Sequence, residues 1–281
     1  MSTRQDNNTN GQPTLIQAHG SWAREPGTFV LEEVDSPTSI PDPFAILVES
    51  ELIPISVEFE PHEHPLHELA FVRGGMMTVR LSEHVIIVPE GHGLWIPAGT
   101  VHSGRTTAHV ALIDALFEPS RCPAMFSEPV TIEVTSIVAS LFTYLEQSGL
   151  SEAARLRAEA VVFDVLTPAA QQLTMKAPRG TLVSPIVEAL LEDPTDTRTI
   201  VEWAERMGVS ERTVARQFRK HTGISFVQWR QALRVHYALE LMSEGMTVRE
   251  VSELLGYSQP STFITSFKRV MGTTPGAYAP E

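Results

Sequence analysis

The chain has 281 residues, 42% hydrophobic and 20% charged, which is enough for two domains with separate cores and unlike a fibre or a wholly disordered chain. No apolar run approaches the roughly 20 residues of a membrane-spanning helix, and a single cysteine, Cys122, excludes an intramolecular disulfide and suits a reducing cytoplasm. The net charge of −13 argues against a nucleic-acid partner only until it is divided: residues 1–180 carry 10 Lys+Arg and 22 Asp+Glu (−12), and residues 181–281 carry 11 and 12 (−1).

Residues 1–12 are polar, lack the charged-then-apolar order of a secretory signal, and read as a disordered lead. Residues 13–120 read as strands: Phe44–Val48, Ile53–Phe59, Leu69–Val72, Met77–Leu81, Val85–Val88, Gly93–Ile96 and His109–Ile113 are short apolar or alternating runs. Gly74-Gly75, Ser82 to His84, Pro89 to Gly93 and Pro97 to Gly99 punctuate them as turns. Many short strands at this spacing predict an antiparallel sandwich or barrel.

Seven of the ten histidines fall between His62 and His109. His62-x-His64-x3-Glu68-x6-Gly75 is followed by Gly91-x5-Pro97-x-Gly99-x2-His102. In extended chain His62, His64 and Glu68 share a parity and point to one interior, whereas His67 faces away, and Pro65 biases His64 toward a strand. The turn at Pro97-x-Gly99 brings in His102 from a neighbouring strand. Three imidazoles and a carboxylate make a candidate site for Zn, Fe, Mn, Ni or Cu. The two halves resemble the two motifs of the cupin superfamily, a small jelly-roll barrel. Phe71, Met76 and Trp95 are either walls of an effector pocket or plain core, and His84, His92 and His109 read as surface or turn residues. Arg105 is either an anchor for an anionic effector or an ion-paired side chain.

Residues 121–174 begin with a proline-rich connector and continue as two predicted helices, Ile132 to Leu145 and Ser151 to Leu166. Leu156, Ala160, Phe163 and Leu166 form a face suited either to a homodimer or to packing on the barrel. Residues 175–181 read as a linker, and residues 182–281 as a second domain whose first helix spans Leu182 to Leu191.

That second domain contains one pattern written twice. Thr199 to Glu202 and Thr247 to Glu250 are capping boxes 48 residues apart, Met207-Gly208 matches Leu255-Gly256, and Ser210 matches Ser258 as the residue opening the next helix. After one further residue Phe218-Arg219-Lys220 matches Phe267-Lys268-Arg269. Ala204 and Ser252 are the small residues where paired helices cross, so the pattern predicts a duplicated helix-turn-helix. On the first recognition helix Arg212, Ala215, Arg216, Arg219 and Lys220 face outward; on the second, Ser261, Thr262, Thr265, Lys268 and Arg269 do. Between the units a third capping box, Ser225 to Gln228, opens a long helix of about 27 Å with a buried stripe of Phe226, Trp229, Leu233, Tyr237 and Leu241.

Ala204 to Lys220 and Gly256 to Pro275 resemble the DNA-binding domain of the AraC/XylS family of bacterial transcriptional regulators. The resemblance implies an α+β two-domain chain: a cupin-like β-barrel (jelly roll) followed by helices, then an all-α tandem helix-turn-helix. It implies a cytoplasmic, sequence-specific regulator of double-stranded operator DNA whose affinity responds to a small molecule or a metal ion. Homodimerisation and contact with RNA polymerase are further partners it admits, and a membrane is not one. In such sensors the histidines are also met as barrel remnants, hydrogen-bonded or facing an organic ligand, so metal and non-metal readings stand side by side. The alternative is a metal-dependent cupin enzyme, a dioxygenase or isomerase, fused to a DNA-binding module.

Overall fold

A computed structural model describes residues 16–17, 29–31, 37–170, 174–243 and 245–278; the lead, 1–12, lies outside them. Among the described residues the strands are β1 (Ile16–Gln17), β2 (Phe29–Leu31), β3 (Ile46–Ile53), β4 (Val57–His62), β5 (His67–Arg73), β6 (Met76–Leu81), β7 (His84–Pro89), β8 (His92–Ile96), β9 (His102–Thr106), β10 (Val110–Phe117), β11 (Val130–Glu133) and β12 (Thr174–Lys176). The helices are α1 (Ser136–Leu145), α2 (Glu152–Val165), α3 (Ser184–Glu192), α4 (Ile200–Arg206), α5 (Glu211–Thr222), α6 (Phe226–Ser243), α7 (Val248–Leu254) and α8 (Pro260–Met271).

The strands form two sheets, one of seven in the order β1-β2-β4-β9-β6-β7-β12 and one of five in the order β11-β8-β5-β10-β3. Alternation along each strand sorts its side chains into layers. Val57, Met77, Val79, Leu81, Ile86 and Val88 of the larger sheet meet Ala70, Val72, Leu94, Ile96 and Leu112 of the smaller one in a shared interior. The outer face of the smaller sheet presents Leu69, Phe71, Trp95, Ile113, Ala115 and Phe117 to Val138, Phe142, Ala158 and Val162 of α1 and α2. The outer face of the larger sheet presents Met76, Val85 and Ile87 to the helical domain.

Several expectations are corrected here. Ile53 to Phe59 is two strands, because Pro54, Ile55 and Ser56 turn the chain between β3 and β4. Ile132 and Glu133 are not helical: β-branched Val130, Thr131 and Ile132 pair with β8, and Thr135 then caps α1 by accepting from the Val138 amide at 3.4 Å. Met175 and Lys176 belong to an edge strand on β7 rather than to a linker, with Met175 buried. Phe71 and Trp95 are core, and Met76 points outward to the helical domain. The expected face on α2 is split. Phe163 and Leu166 pack toward the sensor's own core, while Leu156 and Ala160 stay exposed.

In the helical domain α4 with α5 and α7 with α8 form the two helix-turn-helix units. Both capping boxes are complete, the threonine hydroxyls accepting from Glu202 and Glu250 amides and the glutamates accepting from the threonine amides. Gly208 and Gly256 adopt φ of 65° and 74°, left-handed values that explain why each turn carries glycine. Ala204 and Ser252 are buried where the helices meet. Ser258 does not open α8: Gln259 is the cap position and Pro260 the first helical residue, a position that needs no N–H. The first helix, α3, begins at Ser184 rather than Leu182.

Candidate functional site

At one end of the barrel interior three residues converge. His64 Nε2 lies 2.9 Å and His102 Nε2 3.3 Å from the same Glu68 Oε2, with side chains 3%, 5% and 12% exposed. Their donor atoms lie within 4.8 Å of one another. Strand parity alone does not produce this. His64 sits in the connection between β4 and β5, not in a strand as Pro65 suggests, while Glu68 belongs to the five-stranded sheet and His102 to the seven-stranded one. The cluster is therefore a bridge across the two sheets.

Backbone carbonyls orient the rings. His64 Nδ1 donates to Leu66 O at 2.7 Å and His102 Nδ1 to Thr100 O at 2.9 Å, each two residues away, which turns both Nε2 atoms inward. This carbonyl anchoring is the outer-shell arrangement that fixes the tautomer of metal-binding histidines. Without a cation, hydrogen bonds from His64 at both ring nitrogens require the imidazolium. Burial lowers the His64 pKa, but the Glu68 hydrogen bond and charge outweigh it and the net direction is upward. Burial likewise raises the Glu68 carboxyl, yet hydrogen bonds from His102 and His64 hold it well below the usual carboxylate range. The site thus already stabilises positive charge beside a carboxylate.

His62 is adjacent but is not among the converging atoms. Its ring lies 4.3 Å from that of His102, and its Nδ1 donates to Glu60 O at 2.8 Å. His67 faces away as parity predicts, its Nδ1 accepting from the Ala98 amide at 3.0 Å and its ring lying 5.2 Å from Trp95. Sequence reasoning missed Asp114. It lies on β10 opposite Ala70, diagonal to Glu68 on the same face, and hydrogen-bonds to the Glu68 side chain. Burial, followed by the charge and hydrogen bond of Glu68, pushes the Asp114 carboxyl well above its ordinary value, so it is the protonated donor in that pair. The signal was a lone carboxylate inside the apolar run Val110 to Phe117.

The second surface lies on the helical domain. Arg212, Ala215, Arg216, Arg219 and Lys220 are all exposed on α5, while Val214 and Phe218 hold its other face in the core. They wall a groove of about 530 Å³ that also takes in Ser225 and Val227 at the start of α6. Ser261, Thr262, Thr265, Lys268 and Arg269 are exposed on α8. Thr265 Oγ1 donates to Ser261 O at 2.9 Å, leaving that hydroxyl a lone pair rather than a proton to offer a base. Other cations are structural. Arg198 pairs with Asp196 and lies 3.9 Å over the Trp203 ring, Arg230 donates to Arg198 O at 2.7 Å, and Arg234 donates to Pro194 O at 3.1 Å.

Residues 54–162 match the AraC-like ligand binding domain and residues 203–280 match a helix-turn-helix domain. The HTH-type transcriptional regulator NimR of Escherichia coli is 32% identical over 221 residues, which cover 77% of this chain and 81% of that protein. RipA of Corynebacterium glutamicum, another HTH-type transcriptional regulator, is 35% identical over 114 residues, 39% of this chain and 34% of that one. Among solved structures, ToxT from Vibrio cholerae with bound unsaturated fatty acid aligns with a TM-score of 0.35 at 11% identity, covering 86% of this chain and 100% of that one. Nothing in these similarities favours the enzyme alternative, and among the described residues no helix is long and apolar enough to cross a membrane. The chain belongs to the AraC family of transcriptional regulators, with an AraC-like ligand-binding domain ahead of a double helix-turn-helix DNA-binding domain.

Proposed function

We propose that this regulator reads duplex operator DNA in the cytoplasm chiefly through α5, and that a divalent first-row cation at His64, Glu68 and His102 is its effector. Two inward Nε2 atoms and one carboxylate oxygen, each backed by an outer partner, are the observation that carries the effector reading. Such a set suits Zn, Fe, Mn, Ni or Cu, and bound cation would hold the two sheets together at the mouth of the barrel. His62 is the reserve donor beside them. On DNA, Arg212 and Arg216 take base edges, with Ala215 allowing close approach or touching a thymine methyl. Arg219, Lys220, Lys268 and Arg269 take phosphates, and Ser261, Thr262 and Thr265 make the weaker readout of the second unit. The exposed side of α2 is the face available to a second copy, and RNA polymerase remains a partner for a DNA-bound regulator.

The test is metal content of protein purified without chelator or affinity tag, beside His64→Ala/His102→Ala, with operator binding measured before and after metal removal. Near-stoichiometric metal in the wild type, lost in the variant, with a change in DNA affinity on removal, is the expected result. No uptake of any first-row ion would sink the metal reading and point to an organic effector.

A further inference from the structure

The helical domain meets the larger sheet along Met76 and Ile87, and Arg105 of β9 pairs with Glu240 of α6 at 2.6 Å. Past that contact, beside the edge strand β12, the elements leave a cavity of about 320 Å³. Trp229, Ala232 and His236 line it from α6, at i, i+3 and i+7 and so from one face of that helix. Met175 lines it from β12, Thr222 as the last residue of α5, and Val270 from the last turn of α8. The cavity therefore touches the C-terminal ends of both recognition helices and shares no lining residue with the cluster of His64, Glu68 and His102.

Two polar groups of its wall are already engaged. Trp229 Nε1 donates to Lys176 O at 2.7 Å, and Thr222 Oγ1 donates to Phe218 O at 2.8 Å. His236 differs: it is 3% exposed, and its Nδ1 has no hydrogen-bond partner among the described residues. A buried polar atom left in that state is costly and uncommon in a folded protein. An apolar residue would avoid the cost, as Val235, Ala238 and Leu239 do at the neighbouring buried positions of α6.

The chemistry of the wall selects a class of ligand. Burial depresses the imidazole to about 4, so at neutral pH it offers one donor and one acceptor rather than a charge. Lys176, the cation of the wall, is exposed, where an ion pair is worth little. A hydroxyl, which donates and accepts, complements either tautomer of His236. Met175, Ile224, Trp229 and Val270 supply apolar surface, and the volume is at the small end for ligand pockets.

We propose that this cavity is a binding site for an uncharged phenol-like molecule of one or two rings, its hydroxyl bonded to His236 and its ring against Trp229 and Met175. The site is separate from the cation site proposed above and does not depend on it.

The test uses the full-length protein with p-cresol as probe, toluene as the same ring without the hydroxyl, and p-toluate as a charged counterpart. Binding is followed by calorimetry and by the imidazole NMR signals of His236. The wild type should bind p-cresol about tenfold more tightly than toluene and show shifted His236 signals. His236→Leu should remove that preference, bringing the two probes within about twofold of each other. Ala232→Phe, which fills the cavity from a half-buried position on α6, should abolish binding of both. If His236→Leu does not fold, the wild-type preference, the His236 shift and Ala232→Phe still decide. No binding of p-cresol to the wild type, or binding that Ala232→Phe leaves intact, overturns the site. Unmoved His236 signals, or a preference that survives His236→Leu, overturn the hydrogen bond, and tighter binding of p-toluate overturns the uncharged class.

Discussion

Because Nδ1 of His64 donates to Leu66 O, the proton that must leave that ring for a cation to enter is the one on Nε2. His64 has its pKa raised by Glu68, so its pairing stabilises the fold most below the free imidazole value of 6.5 and fades as pH rises through the raised value. Cation affinity should run the other way, increasing with pH as His64 gives up its proton. Glu68→Gln should lower metal affinity at least 10–100-fold and let the His64 pKa fall, measured by calorimetry and by imidazole NMR. His236 sets a different pH dependence. It is 3% exposed, and burial depresses its pKa to about 4. The unfolded chain binds that proton below about pH 6.5, so stability is full above this and lost as pH falls toward 4, by about 3 kcal/mol in all. Denaturant titrations of wild type and His236→Gln across that window should differ by this component, and parallel pH profiles would refute it. On the DNA side, Arg216→Ala should cost about 1–3 kcal/mol at one base position, whereas Lys220→Ala should weaken all sequences alike and flatten the salt slope by about one. A site selection with Arg216→Ala that returns the wild-type preference would show that Arg216 does not touch a base.

At the scale of elements, the recognition helix depends on its first turn and the turn before it. Ser210 accepts from the Thr213 amide at 3.2 Å, so Ser210→Ala should destabilise the domain by about 1 kcal/mol. Gly208 has open space around its α-carbon but a φ of 65°, so Gly208→Ala should cost about 1–2 kcal/mol through backbone strain alone. Thermal melts of both variants check these figures. These helix signals were legible in the sequence because capping boxes, turn glycines and the i, i+4 stripe of Val214 and Phe218 are local. The sheets were less so. β9 was expected only as the strand carrying His102, and its extent was not read because His102-Ser-Gly-Arg-Thr106 has no apolar alternation, its residues being buried by contacts on both faces of the sheet. β12 was missed because three residues carry no period, and only the edge of β7 makes them a strand. The His64, Glu68 and His102 trio could be read from the motif, but its bridging of two sheets and the proton donated by Asp114 depend on register, which composition does not contain.

Across the whole molecule the layers run from α1 and α2, through two facing sheets, to the DNA-binding helices. In charge and pattern the sequence falls into two halves, but it places no contact between them, since Arg105 and Glu240 lie 135 positions apart. The edge strand β12 adds a consequence. Because Lys176 is stitched to His84 on β7 and α3 starts at Ser184, only residues 177–183 are left as the tether between sensor and DNA-binding domain. Fully extended, seven residues reach about 25 Å, under one helical turn of DNA. A tether that short would keep the two domains, were they to part, at a local concentration on the order of millimolar, a door on a short chain rather than two domains on a rope.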